Sequence, residues 1–134
     1  MHPIRLLLVD DSREMLEVLS IQYGLSPHVE VLGLATSRAQ ALDFLHHCSV
    51  DAVSMDIHLN RDDGIALCAE LRRRYPWLFL VVSSILGESD VRQRALQAGA
   101  NLFAPKPVTR VMIDQFVEAF RHFRRKTNDG MVIY

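Results

Sequence analysis

Short apolar runs alternate with longer amphipathic stretches from one end of the chain to the other. Ile4–Val9 (IRLLLV) is the first run, and it ends in two carboxylates. A run apolar on both faces suits a central strand of a covered parallel sheet. Ser12 then offers an N-cap for a helix with Met15, Leu16, Val18, Leu19 and Tyr23 on its apolar side, ended by Gly24 and Pro27. Val29–Ala35 (VEVLGLA) alternates like a strand nearer the sheet edge. Ser37 opens a second helix, with Ala41, Leu42 and Leu45 as its buried stripe. Ala52–Met55 is a third strand, again ending in a carboxylate, Asp56. A turn at Asn60–Gly64 leads into a helix over residues 65–74 that Pro76 terminates. Phe79–Ser83 is the fourth strand. The helix over 89–98 is closed by Gly99, which fits a left-handed C′ position. Leu102–Ala104 is a short fifth strand, followed by Pro105-Lys106-Pro107 and a last amphipathic helix from about Thr109 to Arg125.

The pattern is (βα)₅, and right-handed crossovers force such a chain into a doubly wound α/β fold, a five-stranded parallel sheet with helices on both faces. No internal repeat, low-complexity segment or second domain is visible. Residues 1–126 therefore form one domain, and 127–134 read as a C-terminal tail or the start of a linker.

Composition narrows the class of protein. Of the 134 residues, 49% are hydrophobic and 23% charged, as in ordinary globular domains, and the net charge is −1. Domains that hold nucleic acid by neutralising phosphates are strongly basic, so direct nucleic-acid binding is not expected. The basic run Arg121–Lys126 reads as a solvated helix C-terminus. Cys48 and Cys68 lie in helical patterns with no CxxC spacing, and are expected to be reduced, mostly buried thiols. His46, His47 and His58 lack a matching ligand set and read as surface residues. No apolar stretch approaches the roughly 18 residues that span a bilayer, and no signal peptide precedes the first strand. A cytoplasmic protein without membrane contact is expected.

In an open α/β sheet, ligands bind outside the carboxyl ends of the strands. Strand one delivers Asp10 and Asp11 there, strand three Asp56, strand four Ser83 and Ser84, and Lys106 follows strand five. Three carboxylates at close range repel one another unless a cation sits among them. Mg²⁺ prefers oxygen ligands and screens attack by a carboxylate on a phosphoryl donor. One carboxylate can be that nucleophile, forming an aspartyl phosphate. Lys106 can pair with Asp56 at rest and with a phosphoryl oxygen afterwards.

Taken in order, Asp10-Asp11, Asp56-Ile57-His58-Leu59, Asp63-Gly64, Ser84, Ala98-Gly99-Ala100, Phe103 and Lys106-Pro107 resemble the response-regulator receiver family over nearly the whole chain. The resemblance implies a flavodoxin-like strand order 2-1-3-4-5 and a phosphorylation switch of a two-component system. It makes Asp56 the phosphoacceptor. Asp11 would bind Mg²⁺ (or Mn²⁺) directly, Asp10 mainly through water, and His58 by its backbone carbonyl. Spacing to Lys106 selects Ser84 over Ser83 as the switch residue that meets the phosphoryl group, and Phe103 as the aromatic that moves with it. Lys106-Pro107 would be a cis peptide, which X–Pro bonds adopt cheaply. The implied partners are a histidine kinase or phosphotransfer protein as donor and an effector domain or protein downstream. The face of the fourth helix, fifth strand and fifth helix would carry the output, with a homodimer through that face as a further option.

Departures from the family pattern carry information. Asn60 stands where proline is usual, Ser84 replaces the commoner threonine, and Ile85 stands where a small residue is usual. The bulk of Ile85 beside an acyl phosphate is expected to restrict donor and water, and position 58 is the other expected tuner of dephosphorylation. The protein is expected not to be an enzyme beyond catalysing its own phosphorylation and dephosphorylation. Two other classes match the residues less well. A haloacid-dehalogenase-type phosphohydrolase would carry its nucleophile and a second aspartate two residues later on strand one, which adjacent Asp10-Asp11 does not match. A flavin-binding electron carrier would need a phosphate-cradling loop there, and paired acids would repel the phosphate. Val81-Val82-Ser83-Ser84 is similar to the receiver of chemotaxis methylesterases. The output form is thus open between a stand-alone receiver and the receiver part of a multidomain regulator with a methylesterase-like or DNA-binding effector.

Overall fold

Alternate residues of the central strands enter two separate cores, which is how one sheet comes to be covered on both faces. The computed structural model describes residues 2–59, 61–85 and 89–132, and for Ser89 and residues 127–132 it describes the backbone. Strands β1 (Ile4–Val9), β2 (Val29–Ala35), β3 (Ala52–Asp56), β4 (Phe79–Ser84) and β5 (Leu102–Pro105) form a parallel sheet in the order β2-β1-β3-β4-β5. This is the order and fold class the sequence implied. Leu6 and Leu8 of β1 and Val81 of β4 pack on α1 (Arg13–Gly24) and α5 (Arg110–Val132). Leu7, Val9, Val53, Met55, Leu80 and Val82 point the other way, toward α2 (Arg38–His47), α3 (Gly64–Arg74) and α4 (Ser89–Gln97).

Helix starts follow the capping residues. The Ser12 hydroxyl accepts from the Met15 amide at 3.2 Å, and the Ser37 hydroxyl from the Gln40 amide at 3.2 Å. Gly99, with φ 112°, takes the left-handed conformation after α4. Three expectations need correction. Val18 is 49% exposed, because α1 lays only Leu16, Leu19 and Tyr23 fully into its core. Strand β4 continues one residue further, through Ser84. Helix α5 continues to Val132 instead of stopping near Arg125, since no proline interrupts the backbone ladder once the apolar stripe has faded. Asn60, which stands where proline is usual, lies outside the described residues.

Polar clasps fix the edge of the sheet opposite the carboxyl ends. Buried Asp51, just before β3, accepts from the Arg5 amide at 2.9 Å, and from the guanidinium groups of Arg5 and Arg124 at 3.3 and 3.1 Å. Burial alone would raise its pKa, but the Arg5 hydrogen bonds and the charges of Arg5 and Arg124 bring it below the usual carboxylate range. Arg72 of α3 donates to Gly99 O at 3.0 Å, Leu78 O at 2.8 Å and Asn101 Oδ1 at 2.6 Å. Above these clasps, Phe79 meets the rings of Phe116, Phe120 and Phe123 edge-on at 5.5–5.8 Å between centroids, seating α5 on the sheet. The loops at the opposite end are left to form a site.

Candidate functional site

The carboxylates that the sequence places at separate strand ends meet in space. Oxygens of Asp10, Asp11 and Asp56 all lie within 4.8 Å of one another. Asp10 is only 2% exposed, Asp11 is exposed and Asp56 is half-buried as the last residue of β3. Local bonds aim them. The Asp10 amide continues the ladder to Ala35 O at 3.0 Å, while its Oδ1 accepts from the Ser12 amide at 3.0 Å.

Lys106 reaches this cluster from beyond β5. Its Nζ lies 2.5 Å from Asp10 Oδ2 and 3.6 Å from Asp56 Oδ2. The expected pairing with Asp56 is present, and the structure adds a tighter contact to Asp10. Asp10 is the more deeply desolvated carboxylate, and a desolvated charge gains most from a counter-ion. The Lys106 amide donates to Ser84 O at 2.8 Å, tying the lysine to the end of β4, and the Lys106–Pro107 peptide is cis.

Asp56 bears the electrostatic cost of the cluster. Burial raises its pKa above the ordinary carboxylate value; Asp10 and Asp11 add to that, and Lys106 and the His58 amide oppose it. A group of three acids with one lysine is under-neutralised, and its all-oxygen donor set matches a hard dication such as Mg²⁺.

The two serines at the end of β4 have different surroundings. The Ser83 hydroxyl donates to Ala104 O at 2.7 Å and is occupied by the interior. Ser84, 3% exposed, lines a cleft of about 310 Å³ with Ile57, His58, Asp62, Asp63, Val91 and Arg94. Phe103 is half-buried on β5 beside Val82 and packs on the α2–α3–α4 side of the sheet. Ile85 is 68% exposed and borders a second, apolar groove with Met15, Val18, Leu19, Lys106 and Pro107. His58 is exposed and pairs with Asp63 in a two-residue antiparallel ladder that sequence reading did not anticipate.

Two further residues hold the site together, and the sequence marked them as a motif without a reason. The Asp63 carboxylate accepts from the Ile65 and Ala66 amides at 2.8 and 3.3 Å, capping α3. Gly64 lies against the acceptor strand. A Cβ there would stand 2.0 Å from the Asp56 carbonyl oxygen and 2.8 Å from Ile57 Cα. The only available signal was the Asp-Gly pair before an apolar helical stripe.

Fold and site together define a doubly wound receiver module with an acidic pocket at its switch point. The family model for the response regulator receiver domain matches residues 6–118, and the chain belongs to that family, the receiver domains of two-component systems. A protein-glutamate methylesterase/protein-glutamine glutaminase of Pyrococcus horikoshii is 32% identical over 112 residues, which is 83% of this chain and 30% of that protein. The chain thus spans less than a third of that relative's length. The signal receiver domain of the NarL response regulator from Mycobacterium tuberculosis superposes with a TM-score of 0.82 at 25% identity, covering 90% of this chain and 98% of that one. The CheX-CheY-BeF3-Mg+2 complex from Borrelia burgdorferi gives 0.75 at 26% identity, covering 85% and 86%. Among the described residues, no helix is long and apolar enough to cross a membrane.

Proposed function

We propose that this receiver accepts a phosphoryl group on Asp56 in a Mg²⁺-dependent reaction and transmits the event to the face formed by α4, β5 and α5. The observation that carries this reading is the meeting of three carboxylates within 4.8 Å, with Lys106 held between Asp10 and Asp56. Asp56, half-buried as the last residue of β3, supplies the attacking carboxylate. Asp10, Asp11, Asp56 and the His58 carbonyl would hold the ion, which supplies charge screening at the phosphoryl oxygens. Support comes from the structural neighbour crystallised with beryllofluoride and magnesium.

An Asp56 oxygen attacks phosphorus, the bond from phosphorus to the donor breaks, and the electron pair departs with the leaving group. Lys106 then exchanges its carboxylate contact for a phosphoryl oxygen. Ser84 hydrogen-bonds a second oxygen, and Phe103 moves into the space vacated beneath the β4 loop. The new charge biases an existing equilibrium between two arrangements of that face. A histidine kinase or phosphotransfer protein is the proposed donor, an effector domain or protein is the target, and the work takes place in the cytoplasm. The receiver unit comprises residues 1–126, and 127–134 form a tail or the start of a linker. That the chain covers 30% of its methylesterase relative favours a second reading of output, a receiver within a longer regulator.

Incubation with acetyl phosphate and Mg²⁺, read by intact-protein mass, tests the proposal. One added phosphoryl group per chain, absent with chelator, is expected; many phosphates released per chain would mark a phosphohydrolase instead. Ile85 lines the same groove as Lys106 and should slow access of water to the acyl phosphate. The native protein is expected to lose its label several-fold more slowly than Ile85→Ala, and slower loss in the variant would defeat that role.

A further inference from the structure

The cleft beside Ser84 contains one charge that the phosphoacceptor chemistry leaves without a function. Its acidic members are already engaged: Asp63 by the α3 amides, and Asp62 by the Arg38 amide at 3.0 Å. Arg94 of α4 has no hydrogen-bond or ion-pair partner among the described residues. Ile57 and Val91 supply apolar walls and Ser84 is buried in the cleft, so a small anion entering it finds one unpaired cation.

Accepting the phosphoacceptor reading, on which this inference rests, we propose that Arg94 binds the carboxylate leaving group of acyl phosphate donors. Arg94 thereby makes the protein selective for them over donors with a neutral leaving group. As the Asp56 oxygen forms its bond to phosphorus, the bond from phosphorus to the bridging oxygen breaks, and its electron pair leaves on a carboxylate. In-line displacement sends that group away from Asp56, toward the open side of the site. Charge developing on the departing oxygens is what a guanidinium stabilises best, because its planar donors match a carboxylate. A donor that leaves as a neutral amine gains nothing from Arg94.

The test compares acetyl phosphate, which leaves as acetate, with phosphoramidate, which leaves as ammonia. Labelling of native protein, Arg94→Gln and Arg94→Lys is followed by mass at saturating Mg²⁺. We expect Arg94→Gln to lower the rate constant for acetyl phosphate about tenfold and that for phosphoramidate less than twofold, with Arg94→Lys, which keeps the charge but not the planar donors, recovering only part of the loss. A merely structural role would lower both rates together, and that result, or no change in either, overturns the inference while the acceptor reading stands. Native protein that takes no label from either donor overturns both.

Discussion

Asp56→Asn is expected to take up no phosphoryl group from acetyl phosphate and Mg²⁺, a loss of at least a hundredfold against the native chain. Asp10 and Asp11 remain in the variant, but neither replaces the lost nucleophile. Asp10 is buried against Lys106, and Asp11 stands at the exposed rim. Intact-protein mass over the same time course checks this, and stoichiometric label on the variant would remove the acceptor role from Asp56. The same substitution should raise thermal stability in metal-free buffer at neutral pH. The folded state raises the Asp56 pKa, through burial and then the fields of its acidic neighbours. An ionised carboxylate with a raised folded pKa costs stability above that value. The cost disappears as pH falls below the unfolded value of about 3.9. The stability gap between variant and native protein should therefore close in acid, and a melting series against pH reads it.

Gly64→Ala should cost about 3 kcal/mol, at the upper end of what over-packing does in a tight interior. The new methyl has no room, because the atoms it meets are the backbone of Asp56 and Ile57 and not the tip of a flexible side chain. Relief requires the start of α3 to move away from the acceptor strand, breaking the 2.9 Å bond from the Gly64 amide to Ile57 O. The urea midpoint should fall, and the labelling rate should fall with it as Asp56 is displaced. Gly24→Ala is the internal control. Nothing lies within 4 Å of a Cβ at that helix terminus, so its midpoint should be unchanged or raised. Equal midpoints for the two variants would show that the close approach at Gly64 is unimportant.

Much of this architecture was written in local pattern. Apolar strand runs, the Ser12 and Ser37 caps, Gly99 and Pro76 punctuate the chain wherever backbone physics requires it, so the order of elements could be read directly. Since βα units wind with one hand, that order already brought Asp10, Asp11, Asp56, Ser84 and Lys106 to a common end of the sheet. At the end of β4 the Ser83 hydroxyl donates to Ala104 O, and Ser84 lines the cleft with His58 and Arg94.

Distances across the sheet had no such signature. Lys106 pairs more closely with Asp10 than with Asp56 because burial differs between two acids that look alike in sequence. The Asp51 clasp joins residues far apart along the chain, from Arg5 to Arg124, and no periodicity marks it. Arg94 looked like any solvated helix residue until the fold set it in the same cleft as Ser84. The sequence by itself determined which elements form, and which end of the sheet carries acids, hydroxyl and lysine, because those follow from hydrogen-bond geometry and chain handedness. Only the tertiary structure decided which charges are paired and which left free, because pairing depends on desolvation and separation, and both exist only once the strands lie side by side.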